Sequence, residues 1–289
     1  MRPPSLAHRY REQSLRTGER VRPSLPGPLM PFPQQPRKWE DASLFDPAHY
    51  LAYLRSRGRE PCRVPPSVIL GWNRPLLEYV ERRYGLKDPH RDGPYSRVAL
   101  PRYGGQVGFL GSFGIGAPAM ATVVEELLAL GARQIVGIGT AGSLQPALLP
   151  SSLVVCTKAL RDEGTSHHYL RPSRFAWPSP GLTREVGQAL ADHGLRFRRG
   201  GGWTVDAVYR ETVRELRRWR RAGLLTVDME ASALFSVARF RRAKAASVFV
   251  ISDVLDEAGW RPRFHAVRDE LVEVFEAVAT GLRRNAFRE

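Results

Sequence analysis

Three apolar runs in this chain end in residues able to do chemistry. Leu224-Leu-Thr-Val227 runs into Asp228-Met-Glu230 and then into a helical pattern. Either acid alone is what the dipole of a helix N-terminus selects. Two acids flanking a methionine at the end of a buried strand are harder to assign to capping, and a carboxylate there can accept hydrogen bonds from adjacent sugar hydroxyls. Val248-Phe-Val-Ile251 ends in Ser252-Asp253. Asp253 fits two roles equally: an N-cap for a following turn, or a general acid at the mouth of a site. The third run, from Gln134, enters Gly137-Ile-Gly-Thr-Ala-Gly142. This lacks the glycine spacing of a dinucleotide fold, an acid some twenty residues on, and the lysine of a phosphate-binding P-loop. Gly139 and Gly142 permit a tight turn, and Thr140 offers a hydroxyl and an amide to an anion or a sugar. A plain loop fits as well.

These ends need strands and covering helices to position them, and the hydrophobic spacing supplies both. Strands are expected at 68–70, 134–138, 152–159, 224–227 and 246–251, with a hairpin pairing 98–100 to 106–110 across Gly104-Gly105. Helices are expected over 75–84, 118–130, 183–193, 212–221, 230–241 and 265–284. Strands alternating with helices argue one α/β domain with a mixed central β-sheet flanked by helices.

That domain is expected to span 44–289, because residues 1–43 have another composition. The first forty residues hold eight prolines and seven arginines. Prolines so dense keep the backbone extended and out of helix or sheet, so an irregular extension is expected. An Arg-rich leader fits a targeting peptide, and a late start at Met30 fits a tail that is not part of the fold. The chain has 289 residues, a formal charge of +15 and two cysteines. Forty of its 44 basic residues are arginine, spread along the chain rather than gathered into one tract, which argues against nucleic acid as a partner. No run is long and apolar enough for a membrane span, and the N-terminus lacks the apolar centre of a secretory signal. Cys62 and Cys156 make no disulfide framework, so the cytoplasm is the expected location. Cys156, in an apolar strand, reads as core, and Trp203 as packing. His167-His168 has no carboxylate or cysteine at ligand spacing, so no metal is expected.

In their order and spacing, Gly114-Ile-Gly-Ala-Pro118, Ile138-Gly-Thr-Ala-Gly-Ser143, Arg161-Asp-Glu-Gly-Thr-Ser166, Val227-Asp-Met-Glu-Ala-Ser-Ala233 and Ser252-Asp253 resemble the nucleoside phosphorylase superfamily. The resemblance implies cleavage of a nucleoside N-glycosidic bond, with inorganic phosphate as co-substrate and no other cofactor. It implies Glu230 and Asp253 as the catalytic pair, Glu230 on the ribose 2′- and 3′-hydroxyls and Asp253 on the leaving base. It further implies Thr140, Ala141, Gly142, Thr165, Ser166, Val208, Tyr209, Asp228 and Met229 as substrate-binding residues. Gly71, Arg74 and Thr140 would face phosphate, and the assembly would be a homo-oligomer, dimer or hexamer. Arg97 or Arg102 could then come from a neighbouring subunit, and His49 could reach a neighbour's ribose.

Two departures bear on the mechanism. Relatives of this kind carry Gly-Asp-Pro-x-Arg after the first strand, where this chain reads Gly71-Trp-Asn-Arg-Pro75. They also carry an arginine where Gly137 stands. Losing a bidentate phosphate clamp weakens phosphate binding. Hydrolysis by water therefore stands as the alternative to phosphorolysis, and a non-catalytic nucleoside- or nucleic-acid-binding protein as a third reading.

Overall fold

Strand β1 (Ser67–Gly71) sends alternate side chains into two cores: Ile69 into one, Val68 and Leu70 into the other. Period-2 alternation with apolar residues on both sides is the pattern of a sheet covered on both faces. The computed structural model describes residues 32–59, 64–84, 96–100 and 103–286, with backbone alone at 96–99 and 285–286. By internal contacts the chain divides after Pro36, and the fold is that of Arg37–Glu289. Met30, Cys62, Arg102 and the side chain of Arg97 lie outside the described residues.

After α1 (Pro47–Ser56) and β1 come α2 (Arg74–Tyr84), β2 (Ser96–Ala99), β3 (Val107–Gly111), α3 (Ala117–Ala129) and β4 (Gln134–Ser143). Then follow β5 (Leu153–Asp162), β6 (Phe175–Ala176), α4 (Pro180–Asp192), β7 (Phe197–Val205), α5 (Val213–Arg221) and β8 (Thr226–Asp228). The chain ends with α6 (Ala231–Phe240), β9 (Lys244–Asp256), β10 (Gly259–Pro262) and α7 (Arg268–Ala286). The mixed sheet runs β10-β9-β5-β7-β8-β4-β1-β3-β2. β9 also pairs with β4, while β8 returns to the end of β4 at Gly142 and Ser143, so β4, β9, β5, β7 and β8 close into a small barrel. Helices α2, α4 and α7 cover one face through Leu76, Val186 and Phe275. Helices α3 and α6 cover the other through Met120, Val124 and Leu234. None of the described helices is long and apolar enough to cross a membrane.

The mixed α/β architecture and the expected hairpin are present, β2 pairing antiparallel with β3. Two local expectations fail. The stretch 137–142 is not a turn: it stays in β4, and its glycines have no positive φ. The chain stays extended there because β9 pairs alongside it as far as Ser143, with one bulge at Ala141/Gly142. Asp253 is not an N-cap, since β9 continues past it to Asp256. Strand β7 was not expected at all, because Arg198, Arg199 and three glycines mask its apolar half. Those glycines have a packing reason. A Cβ on Gly200 would overlap the Leu225 side chain, and one on Gly202 would lie 2.8 Å from Thr226 Oγ1.

Gly200→Ala should therefore overpack the contact with Leu225 and cost about 1–2 kcal/mol. Thermal denaturation should show a lower Tm, and a Tm unchanged within about 1 °C would count against this packing.

Candidate active site

The strand ends converge where the C-terminal part of β4 lies between parallel β9 and antiparallel β8, and the C-terminal ends of parallel strands are the usual place for a ligand in such sheets. The register sets Gly142 opposite both Val227 and Asp253, and a Cβ there would lie 2.9 Å from Asp253 Oδ2. Glycine at 142 thus lets the Asp253 carboxylate lie against the β4 backbone.

Asp228 and Glu230 are both buried but do different work. Asp228 Oδ2 accepts from the amides of Glu230, the N-cap of α6, and Ala231, its first residue, at 2.9 and 2.6 Å, and so holds the start of that helix. Its Oδ1 accepts from Thr204 Oγ1 at 3.0 Å, and that hydroxyl also accepts the Ser232 amide. Glu230 is held by backbone. Its Oε1 accepts from Gly116 N at 2.6 Å, and Oε2 from Met229 N at 3.2 Å. Gly116 has φ 90°, a left-handed conformation suited to glycine, and this aims its amide across the gap. Burial, then the Asp228 charge, pushes the Glu230 carboxyl up to about 8. Burial lifts Asp228 to about 6 against the three hydrogen bonds it accepts. Half-buried Met229 extends its Cε toward Gly116.

The Arg161–Ser166 stretch serves as a bracket. Ser232 Oγ donates to Glu163 Oε1 at 2.7 Å, and Glu163 Oε2 accepts the Ser166 amide. Arg161 donates from Nε to Ser166 Oγ and from Nη1 to the Arg171 carbonyl and Ser173 Oγ. Ser166 is therefore buried within this bracket, and Thr165 opens the short turn Thr165–His168 beside it, half-buried. Cys156 is fully buried, as is Trp203.

Asp253 accepts from Ser252 Oγ at 2.7 Å on one oxygen and from Trp260 Nε1 at 2.9 Å on the other. Each oxygen keeps a further lone pair. Glu211 faces this carboxylate; burial, then the Asp253 charge, raises it to about 7. Neither Trp260 nor Glu211 carries a sequence signal, since the turn that returns Trp260 onto β9 lies in an irregular polar stretch.

Beside Thr140 the structure departs from the expected layout. Arg74 opens α2, its side chain 88% exposed and ion-paired to Glu78, not turned to Thr140. Asn73 reaches Thr140 instead, Nδ2 donating to Oγ1 at 3.0 Å, and its Oδ1 is buried without a partner. Trp72 lies over Gly137 and Gly139, so closely that a Cβ on Gly139 would overlap the indole. Phe113 meets its edge at 6.5 Å. Two glycines on one face of a strand were the available signal for such a cover. Gly71 is packed by Phe109 and Leu76. Ala141 is buried, whereas Val208 is 45% and Tyr209 97% exposed, on the short turn Val208–Arg210 that leads into Glu211. His49 is exposed and bonded to Asp46. A cavity of about 600 Å³ lies at the opposite, N-terminal ends of β1 and β4, between Arg55, Pro66 and Arg133.

A family model described as the phosphorylase superfamily matches residues 69–284. The chain is 33% identical over 140 residues to a guanosine phosphorylase of Halorubrum lacusprofundi, covering 48% of this chain and 58% of that protein. It is 32% identical over 151 residues to a uridine phosphorylase of Treponema pallidum, with the same two coverages, 48% and 58%. The match thus spans little more than half the length of these relatives. Among solved structures, a Vibrio fischeri uridine phosphorylase superposes with TM-score 0.62 at 26% identity, over 82% of this chain and all of that one. An AMP nucleosidase of Bacteroides thetaiotaomicron shares the fold, with TM-score 0.69 at 19% identity, over 83% of this chain and 99% of that one.

Because Glu230 holds its proton more tightly folded than unfolded, its contribution to stability is greatest below pH 4.5 and is lost as pH rises toward 8. Glu230→Gln has no such proton to lose and keeps an acceptor for Gly116. Its Tm relative to the parent protein should rise between pH 5 and pH 9, on the order of 2–4 kcal/mol of differential stability. A gap that does not change with pH would contradict the buried-carboxyl assignment.

Proposed function

The chain belongs to the phosphorylase superfamily, and on that premise we propose that it cleaves the N-glycosidic bond of a nucleoside, separating base from pentose. One observation carries the reading. Glu230 is buried at the strand ends, fixed by two backbone amides, and each oxygen retains a lone pair. That suits two neighbouring hydroxyl donors, as on a ribose ring. Donors from a bound sugar favour the ionised form, so ligand binding should discharge the proton that burial retains. A carboxylate beneath the sugar also offsets the positive charge that develops as the bond to the base breaks. Met229 packs beside it. Asp253 reaches the base, most naturally a purine N7, and Glu211 is the neighbouring carboxyl that exchanges a proton near neutral pH.

The names of the guanosine and uridine phosphorylases support a nucleoside substrate, and they support phosphate as the acceptor, yielding ribose 1-phosphate. Water is the other acceptor compatible with the same bond cleavage.

Incubation with purine and pyrimidine nucleosides, followed by chromatography of free base, should show release from at least one. Glu230→Gln and Asp253→Asn should each lower turnover more than tenfold with an unchanged circular dichroism spectrum; full activity in both would remove the assignment. If Glu211 supplies the proton, turnover should fall as pH rises through about 7. Glu211→Gln should flatten that limb, and a profile identical to the parent would exclude the residue from proton exchange.

A further inference from the structure

On the nucleoside-cleaving reading, we propose that the acceptor is water, because Trp72 and Asn73 make the position beside Thr140, which the family resemblance gives to phosphate, neutral among the described residues. The two glycines on one face of β4 leave its backbone bare at 137 and 139; the Trp72 indole fills the space over Gly139 and, together with Leu234 and Ser247, closes that over Gly137. The indole is itself fixed against Phe113 and the α3–α6 core. A phosphate dianion needs cations or several convergent donors to replace its hydration. What meets Thr140 here is a neutral carboxamide. Arg74, the cation nearest in sequence, is turned outward and paired with Glu78. The buried Asn73 Oδ1 has no partner. An orphaned acceptor beside Thr140 suits a donor such as water and repels a phosphate oxygen, which is itself an acceptor.

The reaction then balances as addition of water. The C1′–N bond breaks with its electron pair passing to the base, which takes up one proton. The water oxygen bonds to C1′ and releases one proton to solvent. The products are free base and free pentose.

The test follows base release from inosine, guanosine, adenosine and uridine in phosphate-free buffer and with about 50 mM phosphate, and identifies the sugar product. Equal rates within about twofold and free pentose are expected. A rate raised tenfold or more by phosphate, or ribose 1-phosphate as product, would overturn the proposal while leaving nucleoside cleavage intact. If no nucleoside is cleaved in either buffer, the functional reading fails, and the acceptor site is judged by calorimetric titration with inorganic phosphate alone. No saturable binding below about 10 mM is expected, and a submillimolar site would overturn the proposal. Trp72→Arg places a cation where the indole lies. It should make the protein bind phosphate at least tenfold more tightly than the parent does. A variant that keeps the parent's circular dichroism spectrum yet gains no phosphate binding would overturn the role given to Trp72.

Discussion

The site depends on Asp228 accepting three hydrogen bonds from the protein. By accepting from the amides of Glu230 and Ala231 and from Thr204, it ties the start of α6 to the β7–β8 pair and thereby fixes where Glu230 stands. A buried carboxylate with three donors is tolerable because each bond offsets part of its desolvation. Its charge in turn raises the carboxyl two residues on. The Glu163–Ser232 bond and the Arg161 bracket extend this anchoring outward to residues 170–173. What the motif's arginine contributes is the shape of a loop: all its hydrogen bonds go to carbonyls and hydroxyls.

The fold class was legible because alternation and helical spacing are set by burial, and most of this sheet is buried on both faces. The paired acids were legible for the same reason, standing at the end of an apolar run. What was hidden is instructive. Strand β7 was obscured by glycines that make room for Leu225, just before β8, and for Thr226 at its start, a relation that exists only in the folded pair. The stretch 137–142 read as a turn because glycine is ambiguous: it grants positive φ, and it also grants room. Here the room is what is used. Asp253 likewise looked like a possible cap until β9 was seen to run past it.

The large positive charge turned out to say little about the site. Arginine is abundant, yet Arg74 is spent on a surface pair, and the turn beside Thr140 is served by asparagine and tryptophan. Charge counts describe the solvent-facing shell, whereas the chemistry is set by a few groups whose surroundings alter their protonation. Three carboxyls with raised values, Asp228, Glu230 and Glu211, stand in or beside the site. A clustering of perturbed acids is a better pointer to function than the sum of exposed cations.

The indole over β4 also constrains how such a site could have arisen or could change. Any side chain at 139 collides with Trp72, and a small residue at 72 would leave the bare strand facing an empty space. Neither substitution is neutral without the other, so the two positions form one heritable unit. A lineage moving between a strand with a side chain at 139 and this aromatic-covered one must cross a less stable intermediate, or acquire enough stability elsewhere to survive it.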